Sequence, residues 1–283
     1  LSRPEYAPLP PLTASVDTTV VGQEAEYAML GWRMPAAASV QADTLTVIAE
    51  LLANGKAGLF DTNLNLPMKV QWAGAFYEGM TDYGQFDIQV QPKQGQSLEE
   101  AKALVLAEVE KLKRGEFADD LLPSVVNNMK RSYYESLRSN ADRADKFVTA
   151  FINGQKWEDQ VHALDRISAM TKTQVVAFAN KHLLNNYVTV YKRQGTDTTV
   201  HKIEKPAITP IPTNNDKHSA FLQEVINDTP EPIQPVFVDY EKDMTQATTK
   251  KQTPMLYKQN TENGLFTLQL RYPGLGTETC PMY

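Results

Sequence analysis

Between residues 26 and 192 the chain switches between two hydrophobic periods in a fixed order: strand, helix, two strands, five helices, strand. That order constrains the fold more than any other feature, because a strand pair placed ahead of a run of helices cannot build a regularly alternating parallel sheet. The segment Tyr27–Met34 is apolar on both of its alternating faces, as an inner strand is, and Pro35 stops it. Asp43 then reads as an N-cap, with Leu45, Ile48 and Leu52 at helical spacing and Asn54-Gly55 as a left-handed stop. Met68, Val70 and Trp72 alternate with Lys69, Gln71 and Ala73, and Phe86, Ile88 and Val90 alternate with Gln85, Asp87 and Gln89 after a turn near Glu78-Gly79. These predict an antiparallel pair with one buried and one wet face.

Ser97 and Glu100 have the spacing of a capping box, and Leu98, Ala101, Val105, Glu108, Val109 and Leu112 follow on one helical face. Further helices are expected over 119–138, with Pro123 near the first turn, over 140–153 with Gly154 as the stop, and over 157–170. Thr171 and Gln174 box the start of the last helix, where Val175, Phe178 and His182 share a face, and residues 186–192 close the block as a strand. Tyr133, Tyr134, Trp157 and Phe178 fall at helical spacing and are expected in the core.

Prolines 206, 210, 212, 230, 232 and 235 break up the polar stretch that follows, which reads as a linker carrying one short amphipathic helix (Phe221, Leu222, Val225, Ile226) expected to dock on a domain. Residues 255–259 and 265–272 flank 260–264 as a second hairpin. The stretch LFTLQLRYP near the end echoes YAMLGWRMP near the start, which suggests that a second copy of the first domain begins there. The prolines at 4, 8, 10 and 11 read as an interdomain lead-in rather than a leader peptide, so the chain is expected to be a piece of a longer protein.

Composition adds exclusions. The 283 residues are 42% apolar and 22% charged, ordinary for a globular protein, and no apolar run approaches the ~18 residues of a membrane helix. Thirty-four acidic against 28 basic side chains leave a net charge of −6, which disfavours nucleic acid as a partner. Cys280 is the only cysteine, so an internal disulfide and a multi-cysteine metal site are excluded.

The phrases LGWRMP, ADTLTVIAELLANGKAGLFDTNL, YGQFDIQVQPKQGQSLEEA and TKTQVVAFANKHL, in this order of elements, resemble the non-catalytic domain of insulinase/pitrilysin-type (inverzincin, processing-peptidase-like) zinc metallopeptidases. The resemblance covers about residues 20–195. It implies an α+β fold, an antiparallel or mixed sheet with helices packed on one face. It divides the chain into a lead-in (1–19), the non-catalytic domain (20–195), a proline-rich linker (196–235) and the truncated start of a following homologous domain (236–283). It further implies a two-halved shell around a chamber, zinc in a missing H-x-x-E-H domain, a polypeptide substrate captured by strand addition, and a bacterial periplasmic or extracytoplasmic setting.

The zinc-binding pattern H-x-x-E-H is itself absent from this sequence. His162, His182, His201 and His218 have no second histidine at helical metal spacing, and Glu158 is the one extra candidate near His162. The family's Arg and Tyr contributors would fall in 63–70, where Asn65 and Lys69 stand instead, so the role is not carried over. Residues 54–58 hold two glycines and a lysine, but they follow a helix, unlike a phosphate loop, and Asp119-Asp120 sits at a helix start. No catalytic residue and no metal ligand is assigned, no cofactor is expected in this protein, and the substrate-binding residues stay unassigned. The expected function is the substrate-chamber domain of a zinc endopeptidase. Alternatives are a proteolytically inactive assembly subunit on the same fold and a stand-alone peptide-binding module.

Overall fold

The structure, a computed structural model, describes residues 7–199, 204–211 and 213–271. It divides into two compact units, Leu1–Thr199 and Val200–Tyr283. His201, Pro212, Tyr272, the end of the echoed segment and Cys280 lie outside the described residues.

The first unit is a five-stranded mixed sheet with helices on one face. Its strands are β1 (Val16–Gly22), β2 (Tyr27–Met34), β3 (Trp72–Gly79), β4 (Gly84–Gln91) and β5 (Val188–Gln194). They lie in the order β1-β5-β2-β4-β3, with β1 parallel to β5 and every other pair antiparallel. The α+β class with a mixed sheet, expected from the sequence, is what forms. Alternation decides the faces: Ala28, Leu30, Trp32 and Met34 of β2 and Phe86, Ile88 and Val90 of β4 are all buried. They meet Leu45, Ile48 and Leu52 of α1 (Gln41–Leu52) and Leu98, Val105 and Leu112 of α2 (Leu98–Lys113) in one cluster. Trp32 can be buried because its indole N–H donates to the Leu184 carbonyl at 2.8 Å. The Ser97–Glu100 capping box starts α2 and the Thr171–Gln174 box starts α7 (Lys172–His182), each with both reciprocal bonds made. Between them run α3 (Leu121–Ser136), α4 (Asn140–Ile152), α5 (Trp157–Val161) and α6 (Ala163–Ser168).

Several local expectations are corrected. Asp43 is not the N-cap of α1. It lies in the first turn and pairs with Arg166 of α6 (2.6 Å), while Val40 occupies the cap with helical backbone angles. The first strand of the pair begins at Trp72, not near Met68, and runs through Glu78-Gly79, which had the look of a turn. A π-helical turn, Asp61–Asn65, precedes it, and the Asn65 amide clamps Ala73 from both sides, accepting from its N–H at 2.8 Å and donating to its carbonyl at 2.9 Å. The segment between them is thereby held as a loop, Met68 adopts a positive φ of 52°, and the faces come out reversed: Ala73 is buried and Trp72 exposed. The expected helix 157–170 breaks at His162, where ψ is 4°. Tyr134 and Trp157 are exposed rather than in the core. Strand β1 was not expected, since Val16, Val20 and Val21 are all exposed and leave no alternation to detect.

In the second unit the short helix is present as α8 (Ala220–Asn227), N-capped by Ser219, with Phe221, Leu222, Val225 and Ile226 exposed. The hairpin pairs β6 (Thr245–Thr248) with β7 (Pro254–Tyr257), upstream of the expected one. Residues 265–271 form no strand, and Asn260 instead ties its loop by donating to the Leu265 carbonyl at 2.8 Å. Among the described residues, no helix is long and apolar enough to cross a membrane.

Candidate functional site

The residues that carried chemical interest in the sequence are not brought together into one site. His162 is exposed and faces Asp165, not Glu158, at 3.2 Å. His182 stacks on Phe178 with ring centres 4.2 Å apart, and burial, helped by Lys181, pushes its pKa below the ordinary value. His218 is exposed. Among the described residues no group of three His, Cys, Asp or Glu side chains could hold a metal ion. Asn65 is consumed by its clamp on Ala73, and Lys69 is exposed. In 54–58 the backbone N–H groups of Asn54, Lys56 and Gly58, which a phosphate would need, all donate to Asp61 Oδ2 at 2.9–3.1 Å.

Among the described residues four buried polar atoms lack a hydrogen-bond partner, His182 Nε2, Asn186 Oδ1, Thr189 Oγ1 and Asp87 Oδ2, and Asp87 is the carboxylate among them, on the face of the sheet opposite the helices. There a groove of about 660 Å³ is lined by Leu9, Leu12, Gly31, Arg33, Met80, Tyr83, Asp87 and Val188, among others. Alternation puts Asp87 of β4 on this face, directly opposite Gly31 of β2. The glycine is required by the carboxylate, since a Cβ at position 31 would stand 2.8 Å from Asp87 Oδ1. Asp87 is only 4% exposed, and its Oδ2 has no hydrogen-bond partner. Burial, reinforced by the Glu78 carboxylate and opposed by Gln85, pushes its pKa up to about 6. One cation stands close by and is otherwise engaged. The Arg33 guanidinium donates to the Leu9 and Pro10 carbonyls at 3.1 and 3.0 Å and lies 5.3 Å over the Tyr83 ring. Leu9 N–H also donates to the Tyr83 hydroxyl, so this segment is strapped along the groove. Sequence reasoning placed Asp87 on a wet face. The available signal was Gly31 in the middle of an otherwise bulky inner strand.

Residues 2–129 match the family model of the peptidase M16 inactive domain. Over that stretch the chain is similar to the M16 inactive-domain family. The M16-type fold is also found in solved structures. A protease from Helicobacter pylori aligns at 20% identity and a TM-score of 0.61, over 65% of this chain and 45% of its own. The peptidase M16 inactive domain from Pseudomonas fluorescens aligns at 17% and 0.58, over 70% and 47%. The inactive peptidase domain from Bordetella parapertussis aligns at 16% and 0.53, over 60% of this chain but 93% of its own length. The present chain therefore spans under half the length of the Helicobacter and Pseudomonas proteins. No curated protein matches the chain. The M16 inactive-domain match bears out the resemblance drawn from the sequence.

Proposed function

We propose that this chain supplies the non-zinc, substrate-chamber portion of a zinc-dependent endopeptidase, working with a homologous domain that carries H-x-x-E-H. The observation that carries the reading is the match of residues 2–129 to an inactive M16 domain in a sequence without that motif. Hydrolysis in such a pair belongs to the partner, whose Glu would activate a zinc-bound water, and this chain would wall the chamber and orient an extended polypeptide. The outer edge of β3 suits that role: among the described residues it pairs with no strand, and strand addition supplies backbone hydrogen bonds without reading sequence.

The test has two arms. Purified alone, the chain should carry no stoichiometric zinc by mass spectrometry and should not cleave a fluorescent unfolded casein. Mixed with an H-x-x-E-H domain encoded by the same parent gene, it should copurify with that domain and raise its cleavage rate. Chelator-sensitive cleavage by the chain alone would overturn the assignment, as would a partner equally active without it.

A further inference from the structure

A buried carboxylate oxygen without a donor is rare in folded proteins and calls for a physical reason. Asp87 has that oxygen, beside a groove whose walls are aliphatic and aromatic at Leu9, Leu12, Val188 and Tyr83. Its neighbours do not neutralise it. Gln85 offers an uncharged amide, Glu78 adds a second negative charge, and the Arg33 guanidinium is drawn off by two carbonyls and an aromatic ring. Turning the side chain elsewhere is also restricted, because Gly31 gives it a fitted notch between β2 and β4. A group completing this site must bring a positive charge, N–H donors and an apolar stem. It must also fit within about 660 Å³.

We propose that the groove is a binding site for an alkylguanidinium or alkylammonium group, whose charged head pairs with Asp87 and whose methylene stem lies on Leu12 and Val188. Two sources share this chemistry: an Arg or Lys side chain borne on a polypeptide, and a free alkyl amine or guanidine. The site requires only the fold of the first unit. It therefore stands or falls separately from the peptidase reading.

The experiment uses the 283-residue chain, isotope-labelled for NMR and held at low ionic strength near pH 8, where Asp87 is ionised. The probes are n-butylguanidinium, n-butylammonium, the neutral isostere n-butylurea, and a nine-residue acetylated and amidated peptide with one central Arg among alanines and threonines. Both cations should shift the Gly31 amide and Asp87 carboxyl resonances and bind roughly ten-fold tighter than n-butylurea. Asp87→Asn should reduce them to the level of the urea. Leu12→Ala should weaken charged and neutral probes alike. In the unsubstituted protein the Asp87 carboxyl should titrate at lower pH with n-butylguanidinium present, a readout that holds even if the Asn variant fails to fold. Binding of the peptide well above that of n-butylguanidinium assigns the site to a polypeptide side chain, and equal binding assigns it to a free amine. Equal affinity for the cations and n-butylurea, or binding unchanged by Asp87→Asn, would overturn the proposal.

Discussion

Replacing Asp87 by Asn tests whether this carboxylate is held in the fold against its electrostatic preference. The buried group titrates at about 6, against an ordinary 3.8, so the folded state binds its proton more tightly than the unfolded chain does. Between those values the native form is protonated and the unfolded form is not. Ionised Asp87 therefore weakens folding above pH ~6, and the penalty fades as pH falls towards ~4. About two pKa units at 1.36 kcal/mol each set an upper figure of about 3 kcal/mol. Screening by solvent in the adjoining groove reduces the expected size to about 1–2 kcal/mol. Asn cannot ionise, but its amide brings a buried donor that carries a pH-independent penalty of roughly 1–3 kcal/mol. The discriminating quantity is consequently the change of the stability difference with pH, not its value at one pH. Urea denaturation followed by circular dichroism, run for both proteins across this range, should show Asp87→Asn gaining about 1–2 kcal/mol on the wild type between pH ~4 and ~8. A difference that stays flat, or that moves the opposite way, would refute the claim that Asp87 is buried and unpaired.

Gly31→Ala should destabilise the fold by about 1–3 kcal/mol in chemical denaturation, because its Cβ meets Asp87 Oδ1 at 2.8 Å. Most of that loss should disappear when Asp87→Ala is made in the same protein, giving a clear coupling in a double-mutant cycle. Ser97→Ala removes the side chain that accepts from Glu100 N–H and should cost about 1 kcal/mol, visible as a lower urea midpoint with an unchanged m-value. His182 has a folded pKa below its ordinary 6.5, so its contribution is full above pH ~6.5 and is lost as pH falls and the unfolded chain takes up the proton. His182→Leu should accordingly flatten the acid limb of the stability profile below pH ~6.5, and a profile parallel to the wild type would contradict the burial of this ring.

Helix boundaries were legible wherever a local device sets them. The Ser97–Glu100 and Thr171–Gln174 boxes and the glycines at 55 and 154 act within a few residues, and each is found where the sequence places it. Strand β4 was legible for a different reason, since Phe86, Ile88 and Val90 face a core covered by helices and their alternation reflects that burial. The failures are places where long-range geometry overrides a short pattern. The Met68–Ala73 alternation is real, but the Asn65 clamp holds it in a loop and the strand starts later on the opposite phase. Strand β1 lies at a sheet edge with exposed side chains, so no apolar period marks it.

The same distinction explains why the candidate site was missed. Residues that resemble functional groups in the sequence, such as those of 54–58 and Asn65, are tied by hydrogen bonds to Asp61 and Ala73 and have little left to offer a ligand. Asp87 looked inert because a carboxylate in an alternating strand is ordinarily solvated. Its environment depends on two facts that no local window contains: the β2–β4 register that sets it against Gly31, and the strapping of Leu9 and Pro10 to Arg33 beside it. Gly31 satisfies the carboxylate sterically but not electrically, because a glycine provides room and no charge. The charge that would pair with it can then enter from the groove side, where the strands leave a volume large enough to admit it.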